Sequence, residues 1–160
     1  ALPRRAMLRA AFSARPRPAG RAPAQDEEAP DLSPLPGPTC RPGDAGSLVP
    51  WPVVVTRPHG GAAADVARCH LGVYRAQEPD PGRPILRRLP HRGAAAHART
   101  WSRTGEAMPV ALVLGADPAT LLAAALPLPG TLSELAFSGV LRGARTEVAA
   151  RAVDLLRIAS

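Results

Sequence analysis

The 160-residue sequence contains no lysine, no asparagine, only two cysteines and only five aromatic residues. Cys40 and Cys69 form no C-x-x-C pair, so neither a disulfide framework nor a cysteine zinc site is expected. No apolar run approaches the length of about 18 residues that a membrane-spanning helix needs. Because 20 prolines and 14 glycines accompany so few aromatics, any hydrophobic core must be lean.

The charge is strongly one-sided. All 20 basic residues are arginines, and against 13 acidic residues they give a formal net charge of +7. Such a charge favours phosphate backbones. No recognition helix, zinc finger or aromatic single-strand platform accompanies it, so a nucleic-acid partner is not expected and is the third of three functional interpretations.

The first 31 residues differ in composition from the rest. They carry six arginines before the first acid, Asp26, and prolines at positions 16, 18 and 23. This proline spacing opposes a continuous amphipathic helix, and the composition is typical of disorder. We therefore expect a disordered, basic Pro/Arg-rich arm over residues 1–31 and a domain over residues 32–160. An organelle targeting signal is the alternative interpretation of the arm.

Short apolar segments alternate with turn residues in the domain. Residues 51–56 predict a strand, and residues 71–77 and 85–89, separated by Pro79, Pro81 and Gly82, predict a hairpin. The alanine-rich residues 94–101 predict a helix, and residues 133–137 a short helix that ends near Gly139. Residues 146–153 suit a last strand or, because of their alanines, a helix. This interleaving predicts an α/β or α+β fold.

Residues 108–143 hold the most regular pattern. Residues 110–114 are an apolar run of strand length that Gly115 ends, and Asp117 and Pro118 supply an N-cap and a first helical residue. The pattern predicts a strand, a tight turn and a helix whose first amides meet an anion or are capped by Asp117. Most such turns bind nothing, so the pattern alone names no function.

One long stretch of the chain reads VALVLGADPATLLAAALPLPGTLSELAFSGVLRGARTEV. It resembles the UbiD family of decarboxylases, which use prenylated FMN (prFMN). The resemblance continues upstream in HLGVYR (70–75) and RRLPHRG (87–93) and covers roughly residues 32–155. It implies a split β-barrel, flavin-binding central domain similar to flavin reductases. It also implies non-oxidative decarboxylation of polyprenyl-4-hydroxybenzoate, or a related aromatic acid, in ubiquinone biosynthesis.

The same resemblance assigns site residues. Arg75 would be catalytic, positioning the substrate carboxylate or supporting an acid. His91 matches a metal-site histidine and His70 replaces a metal-binding asparagine, which would move a manganese or magnesium site towards zinc or another transition metal. The positions implied to contact prFMN are Val73, Tyr74, Arg75, Arg87, Arg88, Leu89, Arg92 and Gly93, with Arg88 in place of a family tryptophan.

The residues themselves bear on these assignments in two ways. Guanidinium groups bind phosphate in a bidentate fork, so the arginines of residues 87–93 suit a flavin-phosphate clamp, with an exposed basic turn as the alternative. His70 and Arg75 are five positions apart and would point to opposite faces of one strand. If both serve one site, the segment must bend or one side chain must reach around.

The resemblance places the family's metal-binding glutamate and its proton-donating acid downstream, and it fades near the end of the chain. We therefore interpret the chain as an internal fragment or degenerate copy that is inactive alone, with Asp117 and Glu134 in capping or packing roles. The alternative is a non-catalytic binding or assembly module. An aromatic acid substrate, a homo-oligomer when full length and a cytoplasmic location are expected, and peripheral contact with the inner membrane is left open.

Overall fold

The structure, a computed structural model, describes residues 3–20, 37–60, 66–80, 83–86, 93–149 and 156–158. The elements in these ranges are α1 (Arg4–Ser13), β1 (Arg17–Ala19), β2 (Ser47–Val49), β3 (Val53–Thr56), a 3₁₀ turn (Val66–Arg68), β4 (His70–Val73), β5 (Ala76–Asp80), β6 (Arg83–Leu86), α2 (Gly93–Ser102), β7 (Met108–Val113), α3 (Pro118–Ala125), α4 (Glu134–Arg142), β8 (Glu147–Ala149) and β9 (Leu156–Ile158). This mixed α/β content agrees with the predicted class.

An antiparallel four-stranded sheet in the order β4-β3-β7-β9 forms the centre of the fold. Val53 and Val54 of β3 are both buried, but on opposite faces. Val54 packs towards α2, and Val53 packs towards α3 and α4. Because helices cover both faces, β3 is a continuous apolar run, and burying each valine stabilises the fold by about 1.5–3 kcal/mol.

β2, β5 and β6 form a separate antiparallel sheet, with Gln77 opposite Ile85. Its β5–β6 hairpin overlaps the predicted hairpin, but its two strands lie nearer the turn than predicted. The prediction of one strand over residues 71–77 is wrong. The chain leaves the central sheet after Val73, and β5 begins in the other sheet at Ala76, since one straight strand cannot pair in both. The described strands form three sheets, so the split barrel is not shown by them.

The predictions of α2 and α3 are confirmed, and the predicted end of α4 is corrected. α2 spans the predicted residues 94–101, and α3 begins after Asp117 as predicted. α4 continues past Gly139 to Arg142 and ends at Gly143, whose φ of +71° is the left-handed conformation that favours glycine at a helix end. Gly139 instead permits close packing: a Cβ there would collide with the carbonyl oxygen of Ser13 in α1.

The N-terminal residues differ from the disordered arm expected for residues 1–31. Residues 4–13 form α1, which packs on α4, and β1 pairs in parallel with β8. The prolines flank α1 instead of interrupting it, and an ion pair joins Arg17 to Glu147 across the two strands. Residues 21–31 lie outside the described ranges. None of the described helices has the length and apolar character needed to cross a bilayer.

Asp117→Ala is expected to lower the free energy of unfolding by about 1 kcal/mol, the usual effect of losing an N-cap. The Asp117 carboxylate accepts hydrogen bonds from the backbone N–H groups of Ala119 (3.1 Å) and Thr120 (3.4 Å) and pairs with Arg142 (2.6 Å). Asp117→Asn keeps the cap and loses only the ion pair, so it should be the milder change in urea unfolding. Equal losses would contradict the capping role.

The same carboxylate makes stability depend on acid pH. Burial alone would raise the pKa of Asp117, but hydrogen bonds from Arg142 and Thr120 outweigh it and lower the pKa from 3.8 to about 2. Because the folded-state pKa is the lower one, the stabilisation is present above pH 3.8 and is lost as the pH falls towards 2. Asp117→Ala should therefore remove part of the acid dependence between these values.

Candidate functional site

Three side chains from distant parts of the chain meet at the edge of the central sheet. His70 begins β4, Tyr74 follows that strand, and Glu134 is the first residue of α4. Nδ1 of His70 lies 2.8 Å from Oε1 of Glu134, and Nε2 of His70 lies 3.0 Å from the Tyr74 hydroxyl. The His70 and Glu134 side chains are only 19% and 16% exposed, so solvent screens their interaction weakly.

Two glycines make room for the His70 ring. A Cβ at Gly93 would lie 2.7 Å from Cγ of His70, and a Cβ at Gly72 would lie 3.0 Å from its Nε2 and would collide with the Tyr74 ring. Gly72 is in the middle of β4 and Gly93 begins α2. A larger residue at either position would displace the imidazole, so local backbone and side chains together hold it in place.

Glu134 is ionised in this environment. Burial alone would raise its pKa, but the hydrogen bond from His70, those from the backbone N–H groups of Glu134 and Leu71, and the charge of His70 outweigh burial and lower the pKa. The site therefore presents a carboxylate anion beside the His70 ring, which suits a cation or a proton-sharing partner.

A second histidine lies beside this group. The ring of His97, in α2, is centred 6.2 Å from that of His70, and its Nδ1 is 2.9 Å from the hydroxyl of Thr56. Burial, together with the charge of His70, lowers the pKa of His97, although Thr56 and Glu134 oppose the shift. His97 is therefore neutral at pH 7 and adds an uncharged imidazole to the region.

A small apolar cavity lies behind the cluster, with the Tyr74 ring in its wall. Its lining also includes Val54, Thr56, Ala94 and Met108. It has room for about one water molecule, so it is not itself the seat of a flavin ring.

The sequence matches the UbiD family model, described as the 3-octaprenyl-4-hydroxybenzoate carboxy-lyase Rift-related domain, over residues 15–160. The chain belongs to the UbiD family. Similar solved structures include decarboxylases, in agreement with the predicted carboxy-lyase class.

Three solved structures show the same fold. The closed form of the Sedimentibacter hydroxybenzoicus vanillic acid decarboxylase has a TM-score of 0.79 and 21% identity, over 97% of this chain and 34% of that one. An evolved dimeric form of the UbiD-class enzyme HmfF from Pelotomaculum thermopropionicum, in complex with prFMN, has a TM-score of 0.70 and 25% identity, over 90% of this chain and 35% of that one. The apo 3,4-dihydroxybenzoic acid decarboxylase of Klebsiella pneumoniae has a TM-score of 0.66 and 22% identity, over 90% of this chain and 32% of that one. This chain thus spans about a third of each relative.

The UbiD-derived site residues divide into those the structure describes and those outside it. Val73 ends β4 half-buried, Tyr74 is buried, Arg75 is exposed just after the bend, and Gly93 lies against His70. The chain passes from the central sheet to the other sheet between Val73 and Ala76, so one straight strand does not run from His70 to Arg75. A site shared by His70 and Arg75 stays a prediction. The residues outside the described ranges are Arg87, Arg88, Leu89, His91 and Arg92, so the phosphate clamp and the His91 ligand stay predictions.

Glu134 is the residue that sequence reasoning missed. It was expected to cap or pack, but its carboxylate contacts His70, 64 positions away in the chain. The available signal was its place in the S-E-x-x-F element of the UbiD resemblance. Within the described ranges no three His, Cys, Asp or Glu side chains form a metal-holding group, and His70 with Glu134 supplies two donors.

Proposed function

We propose that this chain is the prFMN-binding domain of a UbiD-type carboxy-lyase that decarboxylates polyprenyl-4-hydroxybenzoate, or a related aromatic acid, in ubiquinone biosynthesis. The observation that carries the proposal is the Glu134–His70–Tyr74 cluster, which lies where the resemblance implies metal and cofactor contacts. The family match over residues 15–160 supports the reaction class.

prFMN is the proposed organic cofactor, and residues 32–160 are proposed to form a partial split β-barrel around it. Bound prFMN supplies an electron sink for decarboxylation, and the protein supplies placement and electrostatics. The proposed contacts with prFMN that lie in or beside the Glu134–His70–Tyr74 cluster are Val73, Tyr74 and Gly93. Arg75 would hold the substrate carboxylate, since a guanidinium matches a carboxylate in a bidentate fork.

A divalent metal is the second proposed cofactor, and the donors present fit one. Nδ1 of His70 and Oε1 of Glu134 are 2.8 Å apart, near the separation of about 3 Å between adjacent ligands in an octahedral shell with bonds of about 2.0–2.1 Å. His91, two residues before the glycine that touches His70, is the proposed third ligand. A carboxylate with imidazoles favours manganese or zinc over magnesium.

A flavin titration separates this function from the non-catalytic alternative. The purified chain is incubated with prFMN or FMN, desalted and examined by visible absorbance. A retained flavin spectrum is expected for the carboxy-lyase domain. A chain that retains neither flavin would favour the binding or assembly module.

The double change Arg87→Ala/Arg92→Ala is expected to weaken flavin binding by several kcal/mol at most, at about 1.5–3 kcal/mol for each charged hydrogen bond to phosphate. Fluorescence titration with FMN measures this. The control, Arg4→Ala/Arg5→Ala, removes the same charge from the exposed face of α1 and should leave the affinity unchanged. Equal affinities of the two variants for FMN would contradict the proposed phosphate clamp.

The proposed partners are an aromatic carboxylic acid and further copies of the full-length protein. The evolved dimeric form of HmfF supports an oligomer within the family. Light scattering of the full-length protein tests this. A cytoplasmic location and peripheral membrane contact stay predictions.

A further inference from the structure

Tyr74 connects the apolar interior to the pair formed by His70 and Glu134. Its ring is 7% exposed and packs in a cluster with Val54, Ala94 and Met108. Its hydroxyl leaves this cluster and reaches Nε2 of His70 at 3.0 Å. A buried tyrosine hydroxyl requires a polar partner, and His70 provides one.

The partners of His70 determine where its proton lies. An ionised carboxylate only accepts hydrogen bonds, so Nδ1 carries the hydrogen that is donated to Glu134. In a neutral imidazole Nε2 then has the lone pair, and the Tyr74 hydroxyl donates to it. If a metal takes the lone pair of Nδ1, the hydrogen must lie on Nε2, and the hydroxyl oxygen of Tyr74 accepts it. A hydroxyl serves either state because it both donates and accepts.

The orientation of the ring is also selected. A 180° flip of His70 would put carbon atoms at both positions that now face Glu134 and Tyr74. The two hydrogen bonds would be lost together. The backbone at Gly72 and Gly93 lies close to the ring, so rotation to another orientation is restricted.

We propose that Tyr74 is a positioning residue for His70: in both tautomers its hydroxyl holds Nδ1 on the side of Glu134, where a divalent metal would bind. The inference rests on the metal site of the proposed function. It assigns Tyr74 a role through its hydroxyl, in addition to the flavin contact implied by the resemblance.

Tyr74→Phe removes only the hydroxyl and is expected to weaken Zn²⁺ or Mn²⁺ binding by about 10–100-fold, the usual loss when the outer partner of a ligating histidine is removed. Competition with a chelating dye, using metal alone and flavin-free protein, measures this. The same change is made in a His70→Asn background, where the shorter side chain does not reach the hydroxyl, and no further loss is expected. A similar loss in both backgrounds would overturn the proposal, as would unchanged affinity with His70 present.

Imidazole ¹⁵N NMR of the metal-free wild-type chain is the second measurement. His70 is expected in the Nδ1–H tautomer and, after Zn²⁺ addition, in the Nε2–H tautomer. A predominant Nε2–H form without metal would overturn the proposal even if the phenylalanine variant does not fold. If wild-type protein binds no metal, the metal site of the proposed function fails, whereas the metal-free tautomer still decides whether Tyr74 and Glu134 orient His70.

Discussion

The 160-residue chain loaded with prFMN and Mn²⁺ is expected to release no carbon dioxide from a 4-hydroxybenzoate above the rate of the cofactor alone. Decarboxylation must end with a proton delivered to the ring carbon, and a positioned acid contributes about 10²–10⁴ in rate. Asp117 and Glu134, the carboxylates considered for this step, both have lowered pKa values. Both are ionised at neutral pH, so neither donates a proton.

The assay measures released carbon dioxide, with a UbiD-class decarboxylase of full length as the positive control for the cofactor sample. Turnover by the chain above the cofactor-only rate would show that one of its own residues is the acid. The variants Asp117→Asn and Glu134→Gln, each assayed at a metal concentration that saturates the variant, would then test whether either carboxylate is the acid.

Glu134→Gln is expected to weaken Zn²⁺ or Mn²⁺ binding by more than about 100-fold, since even loss of an outer partner of a ligand costs about 10–100-fold. The change keeps the size of the side chain but removes its negative charge, and a neutral amide oxygen attracts a divalent cation less strongly than a carboxylate does. Titration of the flavin-free chain with either metal measures the loss.

Glu147→Gln is the matched control for this experiment. Glu147 is an exposed carboxylate in an ion pair with Arg17, so the control changes the net charge by the same amount away from His70. If both variants bind metal as the wild type does, Glu134 is a structural partner of His70 and not a ligand. A loss in the Glu134 variant alone would support the ligand role.

The structure also changes the set of donor atoms available to the predicted metal site. From sequence, His70 and His91 were the only ligands expected, and two imidazoles bind a hard cation weakly. Glu134 adds an anionic oxygen donor to His70 within the described ranges. This carboxylate strengthens the proposal of manganese without excluding zinc.

Local features of the fold were predictable from sequence. The apolar runs of β3 and β7, the alanine-rich α2 and the Asp117 cap of α3 all depend on residues within a few positions of one another. Periodicity, turn residues and capping chemistry act over that distance. A hairpin in this region was predictable for the same reason, although Pro79, predicted to lie in its turn, belongs to β5.

Only the tertiary structure decided where the long-range contacts lie. Residues 71–77 contain no proline or turn cluster that would divide them, yet hydrogen-bond pairing divides them between two sheets. α1 has a fixed place because Gly139, far along the chain, allows the Ser13 carbonyl to approach.

The candidate site shows the same division. The motifs in the sequence were sufficient to select His70, Tyr74 and the UbiD family, because each is carried by a short run of residues. The contact between His70 and Glu134 joins residues 64 positions apart. Such a contact depends on how α4 packs against β4, so a glutamate at the start of a helix became a partly buried partner of a histidine only when the chain folded.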